Sequence, residues 1–186
     1  ERLDATEVRN IKQFGYGVKG FTLSMIETAV ELTEGRVTGS EVRDIISYAR
    51  EMLDAPVEIL KGAREAVEEL SDSYRLFLIT KGDLFDQEAK IANSGLGDYF
   101  EDVEIVSEKR AEVYGRIAAR HGIQVERFLM VGNSLKSDVL PVIAIGGKAV
   151  HVPYETEWWH ELVPDELLDG IEITRIESLL ELPELV

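Results

Sequence analysis

Apolar residues recur at helical spacing through the first part of the chain: Val8, Ile11 and Phe14, then Phe21, Met25, Ala29 and Leu32. Gly15, Gly17 and Gly20 separate these two predicted helices, and Glu34-Gly35-Arg36 ends the second. Thr38-Gly39-Ser40-Glu41 reads as a capping box that opens a third helix, with Val42, Ile45, Ile46, Ala49 and Leu53 as its apolar face. No strand pattern interrupts this stretch. Residues 1–55 are therefore expected to be all helical, a lid or cap rather than a core.

From Pro56 the pattern changes. Ala63–Leu70 is an amphipathic helix, and Arg75–Thr80 is a nearly continuous apolar run, as expected for a strand buried on both faces. Lys81-Gly82-Asp83 is a turn, Leu84–Ser94 a helix closed by Gly95 and Gly97, and Val103–Val106 a short strand. Ala111–His121 is a helix stopped by Gly122 in the C′ position. The run Phe128–Val131 breaks on Gly132, a polar turn and a short helix come next, and Gly146-Gly147 precedes a second run at Ala149–Val152. A weak strand at Gly170–Thr174 and a helix at Ile176–Leu182 close the chain. Alternating strand and helix predicts an α/β domain over residues 56–186, with a doubly wound parallel sheet.

The chain of 186 residues is 45% hydrophobic, enough for a core domain plus a small accessory. Its net charge of −16 argues against nucleic acid or an anionic membrane as partner, since either needs clustered Lys and Arg. With no cysteine, disulfides and thiolate chemistry are excluded. No apolar run approaches the ~20 residues of a membrane span and no signal-peptide pattern opens the chain, so a cytoplasmic protein is expected.

Candidate chemistry gathers at the carboxyl ends of predicted strands, where open α/β sheets place their ligands. Thr80, with Lys81 and Gly82 in the turn after it, offers a hydroxyl and backbone N–H groups to a phosphate or carboxylate. Lys109, after the Val103–Val106 strand, can neutralise an anionic substrate. Asn133 and Asp138, five residues apart in Gly132-Asn133-Ser134-Leu135-Lys136-Ser137-Asp138, suit Mg²⁺, which takes few protein oxygens and keeps waters. Taken singly, a threonine cap, a solvated lysine, and a turn asparagine with Asp138 capping the next helix would account for the same residues.

In this order and spacing the three segments resemble the haloacid dehalogenase superfamily of hydrolases. Leu76–Thr80 is similar to that family's second motif, Lys109 to the third, and the segment from Met130 to Asp138 to the fourth. The resemblance covers residues 56–153, and the helical residues 1–55 match the family's inserted cap. It implies a Rossmann-like core and a Mg²⁺-dependent phosphatase acting on a small phosphate monoester. It further implies that Thr80, Lys81 and Gly82 bind the phosphoryl group, that Lys109 balances its charge, and that Asn133 and Asp138 serve the metal, with Asp138 also placed to orient Lys109.

The chain departs from the family pattern in two places. The first family motif, an apolar strand ending in Asp-x-Asp that carries the nucleophile, has no counterpart in residues 1–186, and Leu3-Asp4-Ala5-Thr6 has no strand before it. The chain begins where such a cap begins, so that strand is expected to have been cut away or lost upstream. A molecule of these residues alone would have no hydrolase activity. The second departure is Asn133 where many relatives carry Asp. It keeps metal-free 2-haloacid dehalogenation open, and a non-catalytic binding protein is the reading of a different class. Tyr154, Trp158, Trp159 and His160 come after the Ala149–Val152 strand and either line a pocket or cover the sheet edge. His121 is expected to serve as a helix C-terminal cap.

Overall fold

A computed structural model describes residues 1–155 and 159–186. Helices α1 (Arg2–Phe14), α2 (Val18–Leu32) and α3 (Gly39–Asp54) come first, followed by α4 (Ala63–Ser71), strand β1 (Phe77–Lys81), α5 (Leu84–Ser94) and β2 (Asp102–Val106). Then come α6 (Ala111–Arg120), β3 (Leu129–Gly132), α7 (Leu140–Ala144), β4 (Lys148–His151), β5 (Thr174–Arg175) and α8 (Leu182–Leu185). Among the described residues every strand pairing is parallel: β1 with β2, and β4 between β3 and β5. The architecture is mixed α/β. The chain groups into two compact units, Glu1–Glu58 with Phe77–Ser107, and Ile59–Leu76 with Glu108–Val186. No helix among the described residues is long and apolar enough to cross a membrane.

In the first unit the predicted capping box is present. Glu41 N donates to Thr38 Oγ1 at 3.3 Å and Thr38 N donates to Glu41 Oε2 at 2.7 Å. Gly20 lies inside α2 rather than in the link before it. A Cβ there would stand 2.7 Å from the Gly15 carbonyl oxygen, so glycine is needed for close approach and not for a break. The seam between α1 and α2 is polar. The buried residues are Thr6 and Asn10 on α1, and Gly20, Thr22, Ser24 and Thr28 on α2. Asn10 Nδ2 donates to Ser24 Oγ at 3.2 Å and to Glu27 Oε2 at 2.6 Å, and Arg9 adds a 2.8 Å ion pair to Glu27 Oε1. β1 and β2 pair from Phe77↔Asp102 to Lys81↔Val106.

In the second unit β4 is buried on both faces, as a central parallel strand requires. Ala149 packs with Leu135 and Val139, while its neighbour Val150 points the other way onto Ile176 and Leu182. Tyr114 on α6 is fully buried and meets Phe128 edge-on, centroids 6.1 Å apart. α6 ends at Arg120 with His121 as its C-cap and Gly122 at φ 65°, the left-handed stop that the sequence predicts. The C-terminal elements differ from expectation. Ile176 N donates to the His151 carbonyl and so extends the pairing beside β4. The last helix therefore cannot begin there. It starts after Ser178, as a 3₁₀ turn at Leu179–Glu181 that runs into α8.

Thr28 is 7% exposed and its hydroxyl has no hydrogen-bond partner among the described residues. A buried hydroxyl without a partner costs about 1–3 kcal/mol. Thr28→Val should therefore raise the urea midpoint, by about 1 kcal/mol of stability. An unchanged or lowered midpoint would mean that the hydroxyl is satisfied in solution.

Candidate active site

β3 ends on Gly132, and the polar residues after it do not enter an ordinary helix. Leu135–Val139 forms a single turn of π-helix before α7. Its N-cap is Ser134, whose Oγ accepts from Ser137 N at 2.9 Å. Asp138 is thus no helix cap. Its carboxylate is buried and fully engaged: Oδ1 accepts from Lys109 Nζ at 2.7 Å, and Oδ2 accepts from Ser134 N at 3.0 Å. The Lys109 side chain is only 13% exposed, so it is not a solvated lysine. Gly132 makes room for this carboxylate, because a Cβ there would collide with the Asp138 side chain.

The turn is held from three sides by residues of which sequence reasoning singled out His160 alone. Tyr114 OH donates to the Ser137 carbonyl at 2.9 Å and lies 3.5 Å from Asp138 Oδ1. Burial, reinforced by the nearby Asp138 carboxylate, pushes its phenol well above the usual tyrosine range. His151 lies opposite Gly132 in the β3–β4 register, and its Nε2 is 2.9 Å from the Asn133 carbonyl. Arg175 Nε donates to His151 Nδ1 at 3.1 Å, which leaves the ring proton on Nε2 to be given to Asn133. The hydroxyls of Ser134 and Ser137 both donate to Glu161 Oε2, and Lys136 Nζ donates to the His160 carbonyl at 2.6 Å. The signals available beforehand were slight: an apolar position of α6 for Tyr114, and a histidine ending an apolar run for His151.

Thr80, Lys81 and Gly82 belong to the other unit, at the end of β1. Thr80 Oγ1 donates to Gln87 Oε1 at 2.6 Å. Asp83, not Thr80, caps α5, accepting from Asp86 N at 3.2 Å. Gly82 has φ 154°, and a Cβ there would stand 2.9 Å from Gln87 Nε2, so a side chain at this turn would press on the partner of Thr80. The link between α1 and α2 lies against the same turn. Lys19 Nζ pairs with Asp83 at 2.9 Å and holds its carboxyl below the usual range. Lys81 Nζ lies 4.1 Å from the centre of the Tyr16 ring.

Tyr154 is exposed. Trp158 lies outside the described residues, and the Trp159–Glu161 segment forms a 3₁₀ turn. His121 stands at the C-cap of α6, and its carbonyl accepts from Arg75 Nη1 at 3.2 Å.

Donor chemistry at the turn after β3 suits a hard cation in part. Asn133 is exposed and can offer a carbonyl oxygen. Asp138 already balances the Lys109 ammonium, which favours its orienting role over direct ligation. Replacing Gly132 by alanine should displace Asp138 from Lys109 and cost about 1–3 kcal/mol of stability, read from chemical denaturation. A wild-type midpoint would show that the turn can yield without loss.

Residues 4–146 match the model of the family described as haloacid dehalogenase-like hydrolase. The chain is 30% identical over 122 residues to a glyceraldehyde 3-phosphate phosphatase of Methanothermobacter thermautotrophicus, covering 62% of this chain and 53% of that protein. The chain thus spans about half the length of the curated relatives it matches. A crystal structure of a haloacid dehalogenase-like family hydrolase from Xanthomonas campestris is 44% identical, with a TM-score of 0.88 over 100% of this chain and 74% of that one. A Bacillus subtilis hydrolase structure bound to magnesium shares the fold at 17% identity, with a TM-score of 0.68 over 98% of this chain and 80% of that one. The chain belongs to the haloacid dehalogenase-like hydrolase family.

Proposed function

We propose that this chain is part of a Mg²⁺-dependent phosphatase that hydrolyses a small phosphate monoester. The observation that carries the reading is the buried Lys109–Asp138 pair at the end of β3. A lysine that is 13% exposed has been desolvated at a cost, and a carboxylate on only one side leaves its remaining ammonium hydrogens for another anion. The archaeal relatives support a phosphate ester as that anion. Glyceraldehyde 3-phosphate is the first substrate to try.

The finer architecture belongs to the same reading. Residues 1–55 would be a helical cap, and residues 56–186 a Rossmann-like core with a doubly wound sheet. Thr80, Lys81 and the backbone at Gly82 would bind phosphoryl oxygens, and Lys109 would balance the charge of nucleophile and phosphate. Asn133 would give its side-chain oxygen to Mg²⁺, with Asp138 keeping Lys109 in register and lending its charge to the metal side. Bound Mg²⁺ would supply Lewis-acid neutralisation of the phosphate. The attacking aspartate belongs to an Asp-x-Asp strand that these residues do not contain, so the reading applies to a protein carrying that strand. There the carboxylate displaces the alcohol at phosphorus, and water then releases inorganic phosphate. Positioning and charge stabilisation carry most of such catalysis.

Metal-free 2-haloacid dehalogenation is the second reading, favoured by the neutral Asn133 where an aspartate would strengthen Mg²⁺ binding. Halide release that survives EDTA would support it. For the phosphatase, in a protein carrying the Asp-x-Asp strand, Lys109→Ala should abolish EDTA-sensitive hydrolysis of p-nitrophenyl phosphate. Turnover at the wild-type level in that variant would sink the assignment.

A further inference from the structure

We propose that Glu161 is a positioning residue for this site, holding the turn that carries Asn133 and Asp138 from outside that turn. The proposal rests on reading the turn as part of a phosphatase site. Its basis is the assignment of nearly every polar atom between Ser134 and Asp138. Ser134 N is given to Asp138, Ser137 N to the Ser134 hydroxyl, and the Ser137 carbonyl takes the Tyr114 proton. These bonds leave the two serine hydroxyls with a proton each to donate. Both go to one oxygen, Glu161 Oε2, across 27 and 24 residues of chain. Since Ser134 Oγ must accept from Ser137 N, an acceptor on its other side fixes its rotor.

Three physical points favour a positioning role over a chance surface contact. Ser134 and Ser137 are buried, at 6% and 8% exposure, so their hydroxyls cannot exchange Glu161 for bulk water without opening the turn. Hydrogen bonds to an ionised carboxylate are roughly twice as strong as neutral ones. A π-turn is rare and occurs mostly as a single-turn bulge, frequently at functional sites, so the groups that hold this one matter. Lys136, between the two serines, adds a second tie through the His160 carbonyl, so adjacent residues of the 3₁₀ turn grip the loop at three points. Asn133 precedes the first of these anchors, and Asp138 comes after the last. Glu161 accepts from Ser134 and Ser137, the anchors beside them. It sets where both of them stand.

The test compares Glu161→Ala, Glu161→Gln and Ser137→Ala in the protein carrying the Asp-x-Asp strand, by amide hydrogen exchange and by p-nitrophenyl phosphate kinetics. Glu161→Ala should speed exchange at residues 133–139 while leaving the amides of β3 and β4 at wild-type rates. It should lower kcat by about 10- to 100-fold with little change in KM, as expected for misplaced groups that act in the transition state. Glu161→Gln keeps an acceptor oxygen for both hydroxyls and should restore most of both signals, with Ser137→Ala falling between. Unchanged exchange in Glu161→Ala overturns the proposal. So does faster exchange with an unchanged kcat, or a Gln variant as impaired as the Ala variant. If the wild-type protein hydrolyses no phosphate ester, the phosphatase reading fails, and the exchange data alone decide whether Glu161 holds the turn.

Discussion

A buried ion pair dictates the local structure of the second unit. Lys109 and Asp138 stand 2.7 Å apart at 13% and 5% side-chain exposure, so neither can recover its hydration in the folded chain. Removing one partner of such a pair typically costs about 3–5 kcal/mol, because the other charge is left alone. The pair therefore constrains what surrounds it. β3 must end on a residue without a side chain, since Gly132 faces the Asp138 carboxylate. The chain must then turn back within six residues to present that carboxylate, and a wide π-turn capped by Ser134 achieves this. The second oxygen is satisfied by a backbone N–H of the same turn, so the charge is neutralised without a second cation.

The end of β1 solves a similar problem with neutral groups. Thr80 is paired through Gln87, one helical turn into α5, while Asp83 both caps that helix and takes the Lys19 ammonium. After both β1 and β3 a polar side chain thus has its hydrogen bonding settled within the protein, Thr80 by Gln87 and Asp138 by Lys109 and Ser134 N. Such settled groups meet a ligand with little reorganisation, which is what electrostatic catalysis requires.

Much of this was legible in the sequence because it is local. The Thr38–Glu41 box, the span Leu84–Ser94 and the stop at Gly122 depend on residues within a few positions of one another, and the structure matches them. Thr80, Lys109, Asn133 and Asp138 were singled out because they stand in the polar turns that come after apolar runs. What stayed hidden is long-range or depends on competition between neighbours. Glu161 is 27 residues from Ser134 in a stretch without periodicity, and the Arg175–His151 contact requires knowing that β5 lies beside β4. The caps of these two turns fall to Asp83 and Ser134 rather than to Thr80 and Asp138, because Asp83 and Ser134 are better placed for the backbone. Gly20 looked like a break because composition alone does not distinguish a glycine that ends a helix from one that lets another chain segment approach.

The α1–α2 seam has a consequence for how those helices come apart. Its fully buried residues are threonine, serine, asparagine and glycine, so parting the helices uncovers hydroxyls and amides along with half-buried apolar side chains such as Ile11 and Met25. Polar exposure lowers heat capacity where apolar exposure raises it, so the polar share of this seam offsets part of the signature that its apolar share gives. Parting the helical pair is thus an exchange of hydrogen bonds with water as well as a loss of apolar contact, and its temperature dependence is shallower than that of an all-apolar seam of the same area.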